Sequence, residues 1–163
     1  MQAPKQIEPT KLADYLEVLT KAVFQSGMSW RVIEAKWDGF REAFADFDPA
    51  TIAALTGDDI DRLAEDTRII RNRRKIEATV TNAETMLALD EELGGFTGWL
   101  RSHAGFDATV AALRGEFRFL GDTGSYFFLY VVGESVPPHE EWMKAHASTA
   151  HQPSARRSAR KTG

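Results

Sequence analysis

From Thr10 onward the apolar residues of this chain return every three or four positions, and no run alternates convincingly at period two. Leu12, Tyr15, Leu16, Leu19 and Val23 mark a first face, Ile33, Trp37, Phe40 and Phe44 a second, and Ile76, Val80, Ala83 and Leu87 a longer third. That spacing stacks side chains along one side of an α-helix, whereas a half-buried strand needs strict alternation. The punctuation agrees. Thr10 can cap the first helix and Gly27 end it, Ser29 can cap the second, and Asp48-Pro49 supplies an acceptor followed by a ring that fits the first helical position. A short helix then carries Ile52 and Leu55, and another follows Thr56-Gly57-Asp58-Asp59 with Ile60 and Leu63 and runs out near Asp66. Beyond Gly94-Gly95, Phe96 to His103 and Asp107 to Arg114 read as two more, the second capped by Asp107. The last runs from Gly121-Asp122-Thr123-Gly124 through Val132, and Gly133 with Pro137-Pro138 closes the fold. The expectation is an all-α chain of seven to nine helices in one compact domain over residues 10–142, with an extension over 1–9 and a disordered basic tail over 143–163.

Composition excludes several chemistries. With 163 residues the chain can bury a core without a staple, and with no cysteine it has no thiolate nucleophile, disulfide or Cys-ligated metal. The longest apolar run, Tyr126 to Val132, falls far short of the ~20 residues that span a bilayer, so no membrane partner is expected. The start, Met1-Gln2-Ala3-Pro4-Lys5-Gln6, lacks a signal peptide's apolar stretch, and a cytoplasmic location follows as the expectation. Net charge is −4, but Arg156, Arg157, Arg160 and Lys161 stand in the last ten residues without an acid, leaving residues 1–153 at −8. Contact between such a body and nucleic acid has to be local. The tail reads either as a solubilising end or as an electrostatic arm.

One stretch concentrates positive charge. Five of the eight residues from Arg68 to Lys75 are basic and none is acidic, and they follow a short acidic-sided helix across a turn at roughly Thr67 to Asn72. A hairpin of this kind offers the amides of its second helix to a phosphate, and Arg or Lys in a first helical turn opposes the helix dipole unless an anion is bound. The bland alternative is a solvated turn paired with Asp58, Asp59 and Asp61. A second stretch, Val23 to Trp30, joins a helix end, a glycine turn and a Trp just past a new cap; such a Trp either packs in the core or presents its face to a flat ligand such as a base. His103, His139, His146 and His151 are too scattered for a metal site, and His139, beside Glu140 and Glu141, reads as an exposed loop residue. No nucleophile elbow or phosphate-binding glycine loop occurs, which disfavours hydrolase, kinase and ATPase readings of those types.

Taken together, Gln25-Ser26-Gly27-Met28-Ser29-Trp30, Phe40-Arg41-Glu42-Ala43-Phe44, Phe47-Asp48-Pro49, Asp66 to Ile76, and Phe117-Arg118-Phe119-Leu120-Gly121 with Tyr126 resemble, in order and spacing, the bacterial DNA-3-methyladenine glycosylase I family of the helix-hairpin-helix glycosylase superfamily. The resemblance covers about residues 10 to 142. It implies a helix-hairpin-helix DNA glycosylase-like domain that acts in base-excision repair, as a monomer on duplex DNA, especially alkylated DNA, without a cofactor. Such an enzyme is a monofunctional N-glycosyl hydrolase that flips an alkylated adenine from the stack and cleaves it off with water. Base binding falls to Trp30, Gln25, Met28 and Tyr126, with the Gly27-Met28 turn as an apolar wedge. Backbone binding falls to Thr67, Arg68, Ile69, Arg71, Arg73, Arg74 and Lys75.

The departures from the family are as specific as the matches. The family's N-terminal segment, which closes over the base and supplies half of a zinc site, has no counterpart here, and where the second half has His then Cys this chain has His139 and Met143. No metal is expected. The family's base-recognising Glu, eight residues before its stacking Trp, falls on Ala22, which can accept no hydrogen bond from a base. Two glycines of the family hairpin are Arg68 and Arg74. Asp14, Glu17 and Asp122 are the nearest carboxylates by family position. Two functions remain open on these grounds: a glycosylase with a more open pocket that relies on the lability of cationic lesions, or a catalytically silent module that binds DNA or senses lesions. A domain that has lost DNA binding fits poorly with a hairpin that has gained arginine.

Overall fold

The computed structural model describes residues 3–92 and 94–150 of the chain. Among them nine α-helices follow one another with no strand: α1 Leu12–Gln25, α2 Trp30–Ala43, α3 Pro49–Ala53, α4 Gly57–Leu63, α5 Arg73–Asp90, α6 Gly95–Leu100, α7 Phe106–Glu116, α8 Asp122–Val131 and α9 His139–Ala150. No helix of the described residues is long and apolar enough to cross a membrane. The all-α expectation holds. The central helices are α1 and α5, whose buried residues Leu16, Leu19, Val23, Ile76, Ala83 and Met86 form the middle of the core.

An aromatic stack locks α2 to the tight turn at its C-terminal end. Trp37 lies flat against Phe40 at 4.7 Å and against Phe47 at 5.3 Å. Phe47 folds back because Ala45, Asp46 and Phe47 all take positive φ in that left-handed turn. Trp37 also donates its Nε1–H to Glu17 of α1 at 2.8 Å, so the ring's polar edge is satisfied.

Several caps differ from expectation. Lys11, not Thr10, is the first cap residue, and the Asp14 carboxylate accepts from the backbone N–H and hydroxyl of Thr10 at 2.8 and 3.2 Å. Ser29 stands at its cap position without a side-chain bond, and Gly105 rather than Asp107 precedes α7. Asp48 and Thr56 cap α3 and α4 as their sequence suggests, accepting from Thr51 and Asp59 amides. The chain also does not close at the prolines. Pro137-Pro138 lead into α9, which carries the helix to Ala150 through residues expected to be disordered; residues 151–163 of the expected tail lie outside the described residues. The α9 helix is held by Trp142, 6% exposed and stacked on Tyr126 at 4.3 Å.

Candidate nucleic-acid interface

At the C-terminus of α1 the chain turns through Ser26, Gly27 and Met28 before α2 begins. Gly27 has φ of +74°, a conformation glycine adopts without steric cost, and Met28 donates its N–H back to the Gln25 carbonyl at 2.9 Å. The turn puts two large apolar side chains in solvent: Met28 is 39% exposed and Trp30 48%. Trp30 is therefore no core residue. Its ring has the Arg31 guanidinium 5.8 Å from its centroid, and Gln25, five residues earlier at the end of α1, is half-buried.

The expected hairpin is present. Helix α4 ends at Leu63, a turn follows, and α5 starts at Arg73 with Asn72 accepting from the Lys75 amide as cap. The amides of Arg73 and Arg74 open the helix without intrahelical partners, as first-turn donors do. The hairpin sits directly on α2. A Cβ on Gly39 would lie 2.3 Å from the Arg68 carbonyl oxygen, so only glycine allows the two backbones to meet. Lys36 of α2 adds a bond from its ammonium to the Thr67 carbonyl at 2.9 Å.

The hairpin residues divide into distinct jobs. Arg71 and Arg74 are exposed and have no ionic partner among the described residues. Arg73 pairs with Asp61 at 2.6 Å and, more loosely, with Glu77; Arg68 pairs with Asp66 at 2.7 Å and with Glu42 at 3.7 Å. The Arg68 side chain, through that bond, holds the Asp66 carboxyl below the ordinary carboxylate range. Both pairs are surface pairs, worth little and exchangeable for a phosphate. Ile69 is 1% exposed and Thr67 offers its carbonyl to Lys36, so the side chain of the first is a core group and the main chain of the second is a fastening.

Lys75 is the clearest correction. It is 6% exposed and points inward, donating to the carbonyls of Phe24 at 3.1 Å and Ser26 at 2.5 Å. Burial lowers its pKa. Instead of holding DNA phosphates, it caps the last carbonyls of α1, a favourable place for a cation, and ties the glycine turn to the hairpin helix.

Tyr126 is corrected as well. It is 3% exposed, its ring packs on Trp142 and Phe106, and its hydroxyl donates to the Pro137 carbonyl at 2.7 Å, which leaves nothing to offer a base. Ala22 is buried in the contact between α1 and α8, where a Cβ on Gly124 would touch its own at 3.7 Å. The three carboxylates named from the sequence have partners of their own: Asp14 accepts from the Thr10 backbone at the start of α1, Glu17 accepts from Trp37 and Arg41, and Asp122 pairs at the surface with Arg114 at 2.8 Å.

The site also contains residues that sequence reasoning assigned no role. Asn82 of α5, 1% exposed, clamps the Arg118 backbone, accepting from its N–H at 2.8 Å and donating to its carbonyl at 3.2 Å. This fixes the loop between α7 and α8 beside the hairpin. An open depression of about 640 Å³ runs between that loop and the glycine turn, lined by Ser26, Arg114, Phe117, Phe119, Leu120 and Gly121 among others. Glycine turn, basic hairpin and this loop thus share one face. The sequence model of the family described as methyladenine glycosylase matches residues 9–116.

The chain belongs to the methyladenine glycosylase family. It is 31% identical to a DNA-3-methyladenine glycosylase of Haemophilus influenzae and 30% identical to DNA-3-methyladenine glycosylase 1 of Escherichia coli K12, in each case over 67% of this chain and 70% of the relative. Among solved structures, a variant of 3-methyladenine DNA glycosylase I in complex with 3-methyladenine superposes with a TM-score of 0.70 at 27% identity, over 79% of this chain and 81% of the other. 3-Methyladenine DNA glycosylase I from Staphylococcus aureus gives 0.69 at 26% identity, over 79% and 80%. The ring of His139, at the start of α9, lies against Tyr126 and Tyr130, and Met143 stands four residues further along the same helix.

Proposed function

We propose that this chain is a monofunctional DNA-3-methyladenine glycosylase of base-excision repair, a cytoplasmic monomer that acts on duplex DNA through the helical domain that begins near residue 10 and includes α9. The observation that carries this reading is the pairing of family membership with an exposed Trp30 and Met28 on a glycine turn fastened to a basic hairpin. Arg71 and Arg74, with the first amides of α5, take backbone phosphates. Met28 fills the gap left in the stack and Trp30 stacks on the extruded base. Alkylation at N3 makes adenine cationic, so the base departs as a neutral leaving group while positive charge passes to the sugar; the Trp30 face holds the cationic base out of the stack, and the lability of the bond itself supplies the chemistry without a recognising carboxylate. Water then takes the place of the base on the sugar.

Release of 3-methyladenine from alkylated duplex DNA tests the reading. The wild-type chain releases the base above background and Trp30→Ala reduces release at least tenfold, an order set by the loss of one base–aromatic stack. Equal background release from both sinks the catalytic assignment. Ala22, closed against Gly124, favours a second reading in which the chain binds lesions without cleaving them. In that case duplex carrying an abasic analogue is bound tightly and no base is released.

A further inference from the structure

Phe119 has a conformation and an exposure that the core does not explain. It lies in the loop from Phe117 to Gly121, between two buried residues, Phe117 at 4% and Leu120 at 6%, yet is itself 43% exposed. Its φ is +57°, the left-handed region that L side chains rarely occupy and that an aromatic residue occupies least comfortably. The clamp of Asn82 on Arg118 and the two buried neighbours hold it there. The outcome is an aromatic ring held rigidly in solvent by groups that are themselves buried.

The surroundings of the ring are cationic. The guanidinium of Arg74, in the first turn of the hairpin's second helix, lies 6.0 Å from its centroid. Arg118, next in the chain, is exposed without an ionic partner among the described residues. Arg114, on the same depression, pairs with Asp122, and Glu116 is the other acid near the loop in sequence. Phe119 and Ser26, the first residue of the glycine turn, line this one depression. A flat apolar ring beside one guanidinium, with a second exposed arginine next to it in the chain, suits a nucleobase flanked by phosphates.

We propose that Phe119 is a second nucleobase-contacting residue, stacking on a base of the duplex bound across the depression between Ser26 and Phe119 while Arg74 and Arg118 meet the adjacent phosphates. This rests on the DNA-binding reading above and adds a contact on the opposite wall from the Met28 turn. It also gives the strained loop a use, because side chains that enter or prop open a base step have to be rigid to resist restacking.

The test uses the full chain and a duplex carrying an abasic analogue with 2-aminopurine beside it. Phe119→Gly keeps the backbone conformation at no steric cost, so the melting temperature stays level or rises, while affinity falls about tenfold and the 2-aminopurine fluorescence change on binding is lost. Phe119→Tyr retains both affinity and signal. Arg71→Ala weakens binding but leaves the fluorescence change intact at saturation. Affinity and signal equal to wild type in Phe119→Gly overturn the proposal while leaving DNA binding in place, as does a fall in melting temperature with affinity unchanged. Absence of duplex binding by the wild-type chain overturns the DNA reading itself and this proposal with it.

Discussion

Residue identity and residue role part company most plainly at Lys75. Counted as charge, it belongs with Arg71, Arg73 and Arg74; counted by helical position, it belongs with Thr79 and Asn82, at spacings of four and seven, all three buried on one side of α5. The second count was available from the sequence, and it distinguishes a tether from a phosphate ligand. Replacing Lys75 by Met keeps the stem and deletes the donors to Phe24 and Ser26, which costs about 1–3 kcal/mol by leaving two carbonyls unpaired. The expected result is a lower melting temperature together with weaker DNA binding, since the Met28 turn loses its anchor. Arg71→Ala, by contrast, weakens binding with the melting temperature unchanged. If the two variants behave alike in both measurements, the division of roles is wrong. Phe119 was not legible in this way, because nothing in a residue's type announces a positive φ; the buried Asn82, thirty-six positions from the Arg118 backbone that it clamps, helps to hold that conformation together with Phe117 and Leu120.

Among the helices, what was legible followed from periodicity and caps, and what was missed followed from contacts between helices. The faces of α1, α2 and α5 and the cap at Asp48 could be read locally, whereas the cap at Asn72 came from the structure. Helix α9 was missed because prolines end one helix and begin another equally well. Gly39 shows the limit of local propensity. In an isolated α2 peptide, Gly39→Ala raises helicity, by about 1 kcal/mol of propensity. In the protein the same methyl meets the Arg68 carbonyl and separates hairpin from helix, a strain of about 1–3 kcal/mol or more. Circular dichroism of the peptide and thermal unfolding of the protein should therefore move in opposite directions, with DNA affinity following the protein. The caps carry a pH prediction of their own. The carboxyls of Asp48 and Asp59 lie below their ordinary value through bonds from Thr51 and Thr56, and that of Asp66 through Arg68. Folding thus favours their ionised forms, so the stability they contribute is complete above the unfolded value of about 3.9 and is lost as the pH falls through the lower folded values. Melting temperature should drop below about pH 4, and less so in the double variant Asp48→Asn, Asp59→Asn, which still caps but no longer titrates.

Over the whole molecule, the charge sum of −4 conceals a division between cations already paired with the protein's own acids and cations that are not. Arg68 and Arg73 must give up Asp66, Glu42, Asp61 and Glu77 before they can serve a phosphate, so each adds little to binding. Arg71, Arg74 and Arg118, with Arg31 above Trp30, have no ionic partner among the described residues. Three or four phosphate contacts imply that log Kobs falls against log salt concentration with a slope of about −3, since each contact contributes roughly 0.9. To count the folded face alone, the titration is made on a variant with alanine at Arg156, Arg157, Arg160 and Lys161. Adding Arg71→Ala and Arg74→Ala should bring the slope to about −1. An equal pair of substitutions at Arg68 and Arg73 should shift it by less than half as much, because guanidinium groups engaged with Asp66 and Asp61 neutralise phosphate charge only in part. A slope that moves equally for both pairs means that the ion pairs with Asp66 and Asp61 open fully on DNA, and that the hairpin binds with all four arginines.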